Sequence, residues 1–213
     1  MINKVIMIFF ILYVNTAFSG VTIVGTRFTI NQDDKYTNIK IINDNENEYL
    51  IKSEIDDNDF IISPPLFLIS KNSSKNITII PNNKLNYHAD KIINLIIIAI
   101  PKSEFDNNKS SVSLAIRSHF KLIFRHAELK ESDFKLINIV KENNKYFLFN
   151  NSKYVFTISI SNKKNSVNER IFNISPNDKL ALNNICNSTL CNLFVDFYNE
   201  NNELVNTINL SYK

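Results

Sequence analysis

Residues 92–124 of the chain read IINLIIIAIPKSEFDNNKSSVSLAIRSHFKLIF, and this stretch decides the fold class. Its first part, Ile92–Ile100, is almost continuously apolar, which predicts a central β-strand that is buried on both faces. Its last part opens with strict alternation, in which Val112, Leu114 and Ile116 face one side and the intervening residues face the other. Two strands of this kind indicate an all-β protein.

Similar segments continue outward in both directions. Stretches rich in Ile, Val, Phe, Tyr and Thr recur about every ten residues and are separated by Asn, Asp, Lys and Ser clusters. We expect seven strands on each side of the charged stretch His126–Ser132, which is the strand number of an immunoglobulin-like sandwich. The sequence therefore predicts two domains, residues 20–126 and 127–213, with little helix.

The N-terminus has the three parts of a secretory signal peptide. Lys4 supplies the positive charge, Val5–Val14 the apolar segment, and Ala17-Phe18-Ser19 a small-x-small cleavage site. Residues 1–19 are therefore expected to be removed. The apolar run is too short to span a bilayer, and no later run is long and uncharged enough, so we expect no membrane span after cleavage.

Composition excludes several classes of function. The chain has only 2 glycines among 213 residues, which rules out the glycine-rich loops of nucleotide-binding sites and the G-x-S-x-G nucleophile elbow. A net charge of +3, without a basic stripe, gives no indication of nucleic-acid binding. The histidines, at 88, 119 and 126, are scattered, so we predict no catalytic centre, no metal site and no cofactor.

The only two cysteines, Cys186 and Cys191, lie close together in sequence. In an exported chain this spacing predicts a local disulfide, which would stabilise the fold by roughly 2 kcal/mol in the chain-entropy view.

Five short motifs occur in a fixed order along the chain. They are Gly25-Thr26-Arg27, Pro64-Pro65-Leu66-Phe67, Ala99-Ile100-Pro101, Lys121-Leu122-Ile123-Phe124-Arg125 and Asn151-Ser152-Lys153-Tyr154. In this order they resemble the motifs of the periplasmic pilus chaperone family (PapD-like, of the chaperone–usher pathway), over nearly the whole mature chain.

The chain departs from the family pattern at several places. Leu68 stands where the family usually has Arg, His126 stands where it has Pro, and only Asp90 remains of an acidic D-R-E-S motif. The N-D-Y-G turn of the second domain corresponds at best to Asn199-Glu200-Asn201. These departures indicate that the ion network between the domains is partly rewritten.

The resemblance implies two immunoglobulin-like domains set at an angle, with a cleft between them. It implies a periplasmic chaperone that binds, folds and caps pilus or fimbrial subunits by donor-strand complementation, then delivers them to an outer-membrane usher. The expected partners are pilin subunits and the usher. An alternative is an exported immunoglobulin-like structural subunit or adhesin component. Such subunits carry an alternating N-terminal extension, for which the first strand leaves no room.

The resemblance also assigns roles to residues. Val112, Leu114 and Ile116 would enter the groove of the subunit as a donor strand, although their alternation equally fits an ordinary strand that packs on its own core. Arg27 and Lys121 would hold the C-terminal carboxylate of the subunit; each taken alone could be a solvated charge.

Two further expectations follow from the strand pattern and the motifs. Lys121 is out of phase with the alternating residues, so we expect a twist or a β-bulge near Ser118. Asp90 and Arg125 form either an interdomain ion pair or an unrelated surface pair.

Overall fold

The computed structural model describes residues 20–82, 85, 87–102, 113–162, 170–182, 185–186 and 191–212. The predicted signal peptide and Val112 lie outside the described residues. The regular secondary structure of the described part is almost entirely β-strand, as the sequence predicts, with one short 3-10 helix at Glu131–Leu136. No helix within it is long and apolar enough to cross a membrane.

The first half of the chain forms a sandwich of two sheets. In chain order its strands are β1 (Val21–Ile23), β2 (Arg27–Asn31), β3 (Thr37–Asn43), β4 (Tyr49–Ile55), β5 (Phe60–Ser63), β6 (Leu66–Ile69), β7 (Ser73–Pro81), β8 (Lys91–Pro101) and β9 (Ile116–Arg125). One sheet has the strand order β2-β9-β8-β4-β6 and the other the order β1-β3-β7-β5.

The second half forms another sandwich. Its strands are β10 (Ile137–Glu142), β11 (Lys145–Asn150), β12 (Phe156–Ser161), β13 (Phe172–Ile174), β14 (Lys179–Ala181), β15 (Cys191–Tyr198) and β16 (Leu204–Tyr212). They form sheets of order β13-β12-β15-β16 and β10-β11-β14. A disulfide joins Cys186 to Cys191 at the start of β15, the pairing that the spacing predicts. Each sandwich has its own apolar core.

Strand β8 lies at the centre of its sheet, between β9 and β4, but it is not equally buried on its two faces. Ile93, Leu95, Ile97 and Ala99 point into the core and are buried, whereas the residues between them are half-buried. The prediction of burial on both faces was therefore wrong. The second face carries isoleucines too, so the alternation does not show in the sequence.

The predicted first strand, Val21–Ile30, is divided between the two sheets. β1 pairs with β3 in one sheet, and β2 pairs in parallel with β9 in the other. Gly25 lies at the crossing with φ of 117°, a conformation that residues with a Cβ rarely adopt. Because of this switch, Val21–Ile23 pair with β3 and not with the part of β9 that precedes Lys121.

Gly25→Ala is expected to lower the free energy of unfolding by about 1–3 kcal/mol. The new Cβ would lie 2.8 Å from Cε1 of Phe28, and the positive φ would be strained as well. Gly20→Ala is the matched control, because its Cβ would meet only the hydroxyl oxygen of Tyr49 at 3.5 Å. Urea unfolding of both variants measures the difference, and equal stabilities would contradict this account of the sheet switch.

Candidate functional site

A cleft of about 610 Å³ lies between the two sandwiches. Arg27, Phe28 and Thr29 of β2 line it from the first sandwich. Tyr198 and Glu200, at the end of β15 and in the turn that follows, line it from the second. The cleft therefore combines an apolar floor with charged groups from both domains.

The parallel pairing of β2 and β9 places Arg27 directly opposite Lys121. Asn94 of β8 is the register partner of Lys121 on its other side. Directly opposed residues of neighbouring strands share a face of the sheet, so all three side chains project from the outer face. The ammonium group of Lys121 donates a hydrogen bond to Oδ1 of Asn94. The structure thus brings together the two predicted anchor residues, which are 94 positions apart in the chain (121 − 27).

The guanidinium of Arg27 is partly buried at the cleft. Its Nη2 donates to the carbonyl oxygen of Asn199, at 3.5 Å, and to Oδ1 of Asn202. Its Nε is buried and has no hydrogen-bond partner among the described residues. Burial lowers the pKa of Arg27, and the nearby carboxylate of Glu200 partly offsets that effect. Arginine remains charged at neutral pH, so the cleft holds a cation with unused hydrogen-bonding capacity.

The outer edge of β9 is only half occupied. β2 pairs with Lys121–Arg125, whereas within the described residues no strand pairs with the same edge of Ile116–Phe120. Leu114 is 75% exposed and Ile116 is 54% exposed. An open edge beside exposed apolar side chains is the arrangement that accepts an additional strand.

Strand β9 differs from the sequence prediction in two respects. It begins at Ile116 rather than at Val112, because its ladder with β8 ends at the Ala99–Ile116 pair. The register is also continuous from Ile116 to Phe124, without a shift, so the bulge expected near Ser118 is absent from this segment. Lys121 and Ile116 therefore face opposite sides of the sheet.

The carboxylate of Asp90 is fully buried and joins the two sandwiches. Oδ2 accepts hydrogen bonds from Nη1 of Arg125, at 2.5 Å, and from the backbone N–H of Val155, at 3.0 Å. Oδ1 accepts from the backbone N–H of His126, at 2.9 Å, and faces Nδ1 of that histidine at 2.8 Å. The backbone N–H of Asp90 in turn donates to the carbonyl oxygen of Lys153 at 2.8 Å.

This geometry refines the predicted interdomain ion pair. Asp90 and Arg125 both belong to the first sandwich, so their ion pair lies within one domain. The contacts that cross the boundary are those to Lys153 and Val155, together with a contact of 3.6 Å between Nη2 of Arg125 and Oε1 of Glu200. The pair is therefore the centre of a network that reaches across the boundary.

Glu200 forms a second bridge between the domains. Its Oε1 accepts a hydrogen bond from the hydroxyl of Thr29 at 2.9 Å. Burial disfavours the charged form of this carboxyl, but hydrogen bonds from its own backbone N–H and from Thr29, with the nearby charge of Arg125, together lower its pKa. Glu200 is thus held ionised beside the cleft.

Sequence reasoning missed the roles of Glu200 and His126. The signal for Glu200 was the resemblance of Asn199-Glu200-Asn201 to a turn motif that contains an acidic residue. For His126 the sequence showed only a departure from Pro. In the fold, its ring packs against Tyr154 with centroids 4.7 Å apart. Within the described residues, no group of three or more His, Cys, Asp or Glu side chains is arranged as metal ligands.

Comparison with known proteins gives a consistent result. Residues 20–130 match the family described as pili and flagellar-assembly chaperone, PapD N-terminal domain. The chaperone protein FanE of Escherichia coli is 29% identical over 88% of both chains. The chaperone protein LpfB of Salmonella typhimurium is 32% identical over 54% of this chain. The match covers only about half of LpfB, 54% of its length.

The fold also matches solved structures. A chain in the complex of the Salmonella enterica SafA pilin with the SafB chaperone superimposes with a TM-score of 0.69 and 18% identity, over 93% of this chain and 97% of that one.

Proposed function

Because the chain belongs to the pili and flagellar-assembly chaperone family, we propose that it is a periplasmic chaperone that binds, folds and caps pilus subunits by donor-strand complementation. The proposed domain limits are residues 20–126 and 127–213, after removal of residues 1–19 as a signal peptide. The role is one of binding and not of catalysis. The solved complex of the SafA pilin with the SafB chaperone, one chain of which shares the fold of this chain, supports this choice of partner.

The single observation that carries the proposal is the edge of β9 at Ile116–Phe120, with which no strand pairs in the part of the chain that the structure describes. A subunit that lacks one strand of its own sheet can pair its main chain with this edge. Leu114 and Ile116, with Val112 before them, are the side chains that we propose enter its apolar groove. Burying each of them contributes roughly 1.5–3 kcal/mol before the cost of ordering.

The position of β2 limits where the added strand can lie. β2 occupies the edge of β9 from Lys121 onward and runs parallel to it. An added strand on the preceding part of the edge is therefore collinear with β2, and its near end reaches Arg27. If that end is the C-terminal carboxylate, the added strand runs parallel to β9.

Arg27 and Lys121 then act as the anchor for this carboxylate. Both lie on the outer face of the sheet at the point where β2 begins. An anchored end fixes the register of the pairing, and a slip of one residue would turn Leu114 and Ile116 away from the groove. Delivery to an outer-membrane usher completes the proposed role.

Leu114→Asp is expected to abolish the soluble complex with a subunit while leaving the chaperone folded, because its side chain is 75% exposed. The test is co-expression with a panel of pilin subunits from the same genome, followed by size exclusion of the periplasmic extract. Ile61→Asp is the matched control, since Ile61 is also exposed, at 47%, but lies on β5 in the other sheet.

Two outcomes would contradict the proposal. A chain that polymerises into fibres with the pilin, instead of forming an equimolar soluble complex, is a structural subunit. If Leu114→Asp unfolds the chain, Leu114 is a core residue and the donor-strand assignment is wrong.

A further inference from the structure

The turn between β15 and β16 carries a side chain onto the proposed anchor. Asn199 shapes this turn, because its Oδ1 accepts hydrogen bonds from the backbone N–H groups of Asn201, at 3.0 Å, and Glu203, at 2.9 Å. The backbone N–H of Asn202 donates to the carbonyl oxygen of Asn199 at 3.1 Å. Asn202 itself has φ of 63°, in the left-handed region that asparagine tolerates. The turn is therefore well defined and aims Asn202 at the first sandwich.

The side-chain amide of Asn202 contacts two consecutive residues of the Gly25-Thr26-Arg27 motif. Its Oδ1 accepts from Nη2 of Arg27, and its Nδ2 donates to the hydroxyl of Thr26 at 3.3 Å. The amide thus places a single oxygen on the guanidinium. Nε of Arg27, which shares an edge of the guanidinium with Nη2, remains buried and without a partner among the described residues.

A carboxylate would satisfy this edge more completely than an amide does. Its two oxygens can accept from Nε and Nη2 together, in the bidentate geometry that arginine favours. The hydroxyl of Thr26 can rotate and donate to the same carboxylate, because a hydroxyl is both donor and acceptor. The amide oxygen carries no net charge, so its bond to Arg27 is weaker than that of a carboxylate.

We infer that Asn202 is a built-in occupant of the carboxylate site, which the C-terminal carboxylate of an incoming subunit must displace from Arg27. This inference rests on the proposed function and extends it. Asn202 closes the second sandwich onto the site in the free chaperone, and it lowers the affinity for any carboxylate that does not also gain the contacts along β9. Its displacement breaks the contacts of Asn202 with Thr26 and Arg27, while the carbonyl oxygen of Asn199 can still accept from Arg27 and the bridge from Glu200 to Thr29 and Arg125 remains.

The experiment measures binding of a short synthetic peptide of alternating threonine and valine. The peptide carries fluorescein and a lysine pair at its N-terminus and a free carboxylate at its C-terminus; its twin ends in an amide. Fluorescence anisotropy gives Kd for both peptides with the unaltered chain, Asn202→Gly and Asn202→Asp. Both substitutions suit the left-handed backbone, since Gly and Asp are tolerated there.

The two variants are expected to change the affinity in opposite directions. Asn202→Gly removes the competing oxygen and should tighten binding of the free-acid peptide about 2- to 10-fold, the range that one net hydrogen bond spans. Asn202→Asp pairs its own carboxylate with Arg27 and should weaken binding about tenfold or more. Asn201→Ala is the matched control, because the Asn201 side chain is exposed in the same turn.

The outcomes separate this inference from the proposed function. If the unaltered chain prefers the free acid to the amide but Asn202→Gly and Asn202→Asp leave Kd unchanged, the anchor stands and the role of Asn202 is wrong. If the unaltered chain does not distinguish the two peptides, or binds neither, the carboxylate anchor itself is contradicted.

A second measurement needs no ligand. Phenylglyoxal modifies arginine side chains, and peptide mapping by mass spectrometry gives a rate for each arginine. Asn202→Gly should raise the rate at Arg27 severalfold and leave that at the exposed Arg117 unchanged, so Arg117 is the internal reference. An unchanged rate at Arg27 would show that Asn202 does not cover it.

Discussion

Asp90→Ala is expected to lower the free energy of unfolding by about 3–5 kcal/mol, which is the usual result of removing one partner from a buried ion pair. The substitution takes its nearest carboxylate from the guanidinium of Arg125 and its acceptor from the backbone N–H of Val155, both in a buried place. For a chain of this length the midpoint of thermal unfolding should fall by roughly 6–20 °C. The two sandwiches should also lose their fixed orientation, which small-angle X-ray scattering would detect as an increased radius of gyration.

Asp33→Ala is the control for this prediction, because Asp33 is an exposed carboxylate of the same sandwich. Its free energy of unfolding should change by less than about 0.5 kcal/mol. Asp90→Asn should fall between the two, since one oxygen remains to accept hydrogen bonds while the new NH₂ group faces N–H donors. If Asp90→Ala is as stable as Asp33→Ala, the network around Asp90 does not hold the sandwiches together.

Short motifs were enough to predict that Arg27 and Lys121 lie close together, but they do not explain why the two residues meet. Each motif marks the point where a strand reaches the cleft, and the parallel register of β2 with β9 brings the two points together. That register depends on the sheet switch at Gly25. Val21–Ile30 is apolar enough to be a single strand, so only the competing partners β3 and β9 determine where it divides.

The environment of Asp90 shows a different limit of sequence reasoning. Its nearest partners lie 35, 36 and 65 positions away in the chain, at Arg125, His126 and Val155. Two of these hydrogen bonds come from backbone N–H groups, which every residue except proline possesses, so the sequence carries no mark of them. His126 stands where the motif that this segment resembles usually has proline. Proline cannot donate a backbone hydrogen bond, whereas both the backbone N–H and the ring of His126 contact Asp90.

Arg27→Ala and Lys121→Ala are each expected to abolish capture of a subunit while leaving the chaperone folded. Truncating one partner of a desolvated, hydrogen-bonded charge pair costs about 2–5 kcal/mol of binding free energy, which is roughly a 30-fold to several-thousand-fold increase in Kd. Both side chains project from the outer face of the sheet, away from the core, so the midpoint of thermal unfolding should change little. Surface plasmon resonance with a purified subunit, in parallel with thermal unfolding, separates the two effects.

Arg117→Ala provides the matched control for both substitutions. Arg117 lies four residues before Lys121 on β9, in a continuous register with β8, so the two side chains project from the same face of the sheet. Its nearest carboxylate, that of Glu54, is 4.0 Å away. Arg117→Ala removes one positive charge from β9, as Lys121→Ala does, but it leaves the charges at the start of β2 unchanged. Arg27→Lys should retain part of the affinity, because an ammonium replaces the bidentate fork with a point charge. If all these variants bind a subunit with the same Kd, the charge at this end of the cleft does not hold its carboxylate, and the register of the added strand must then be set by the pockets for Leu114 and Ile116 alone.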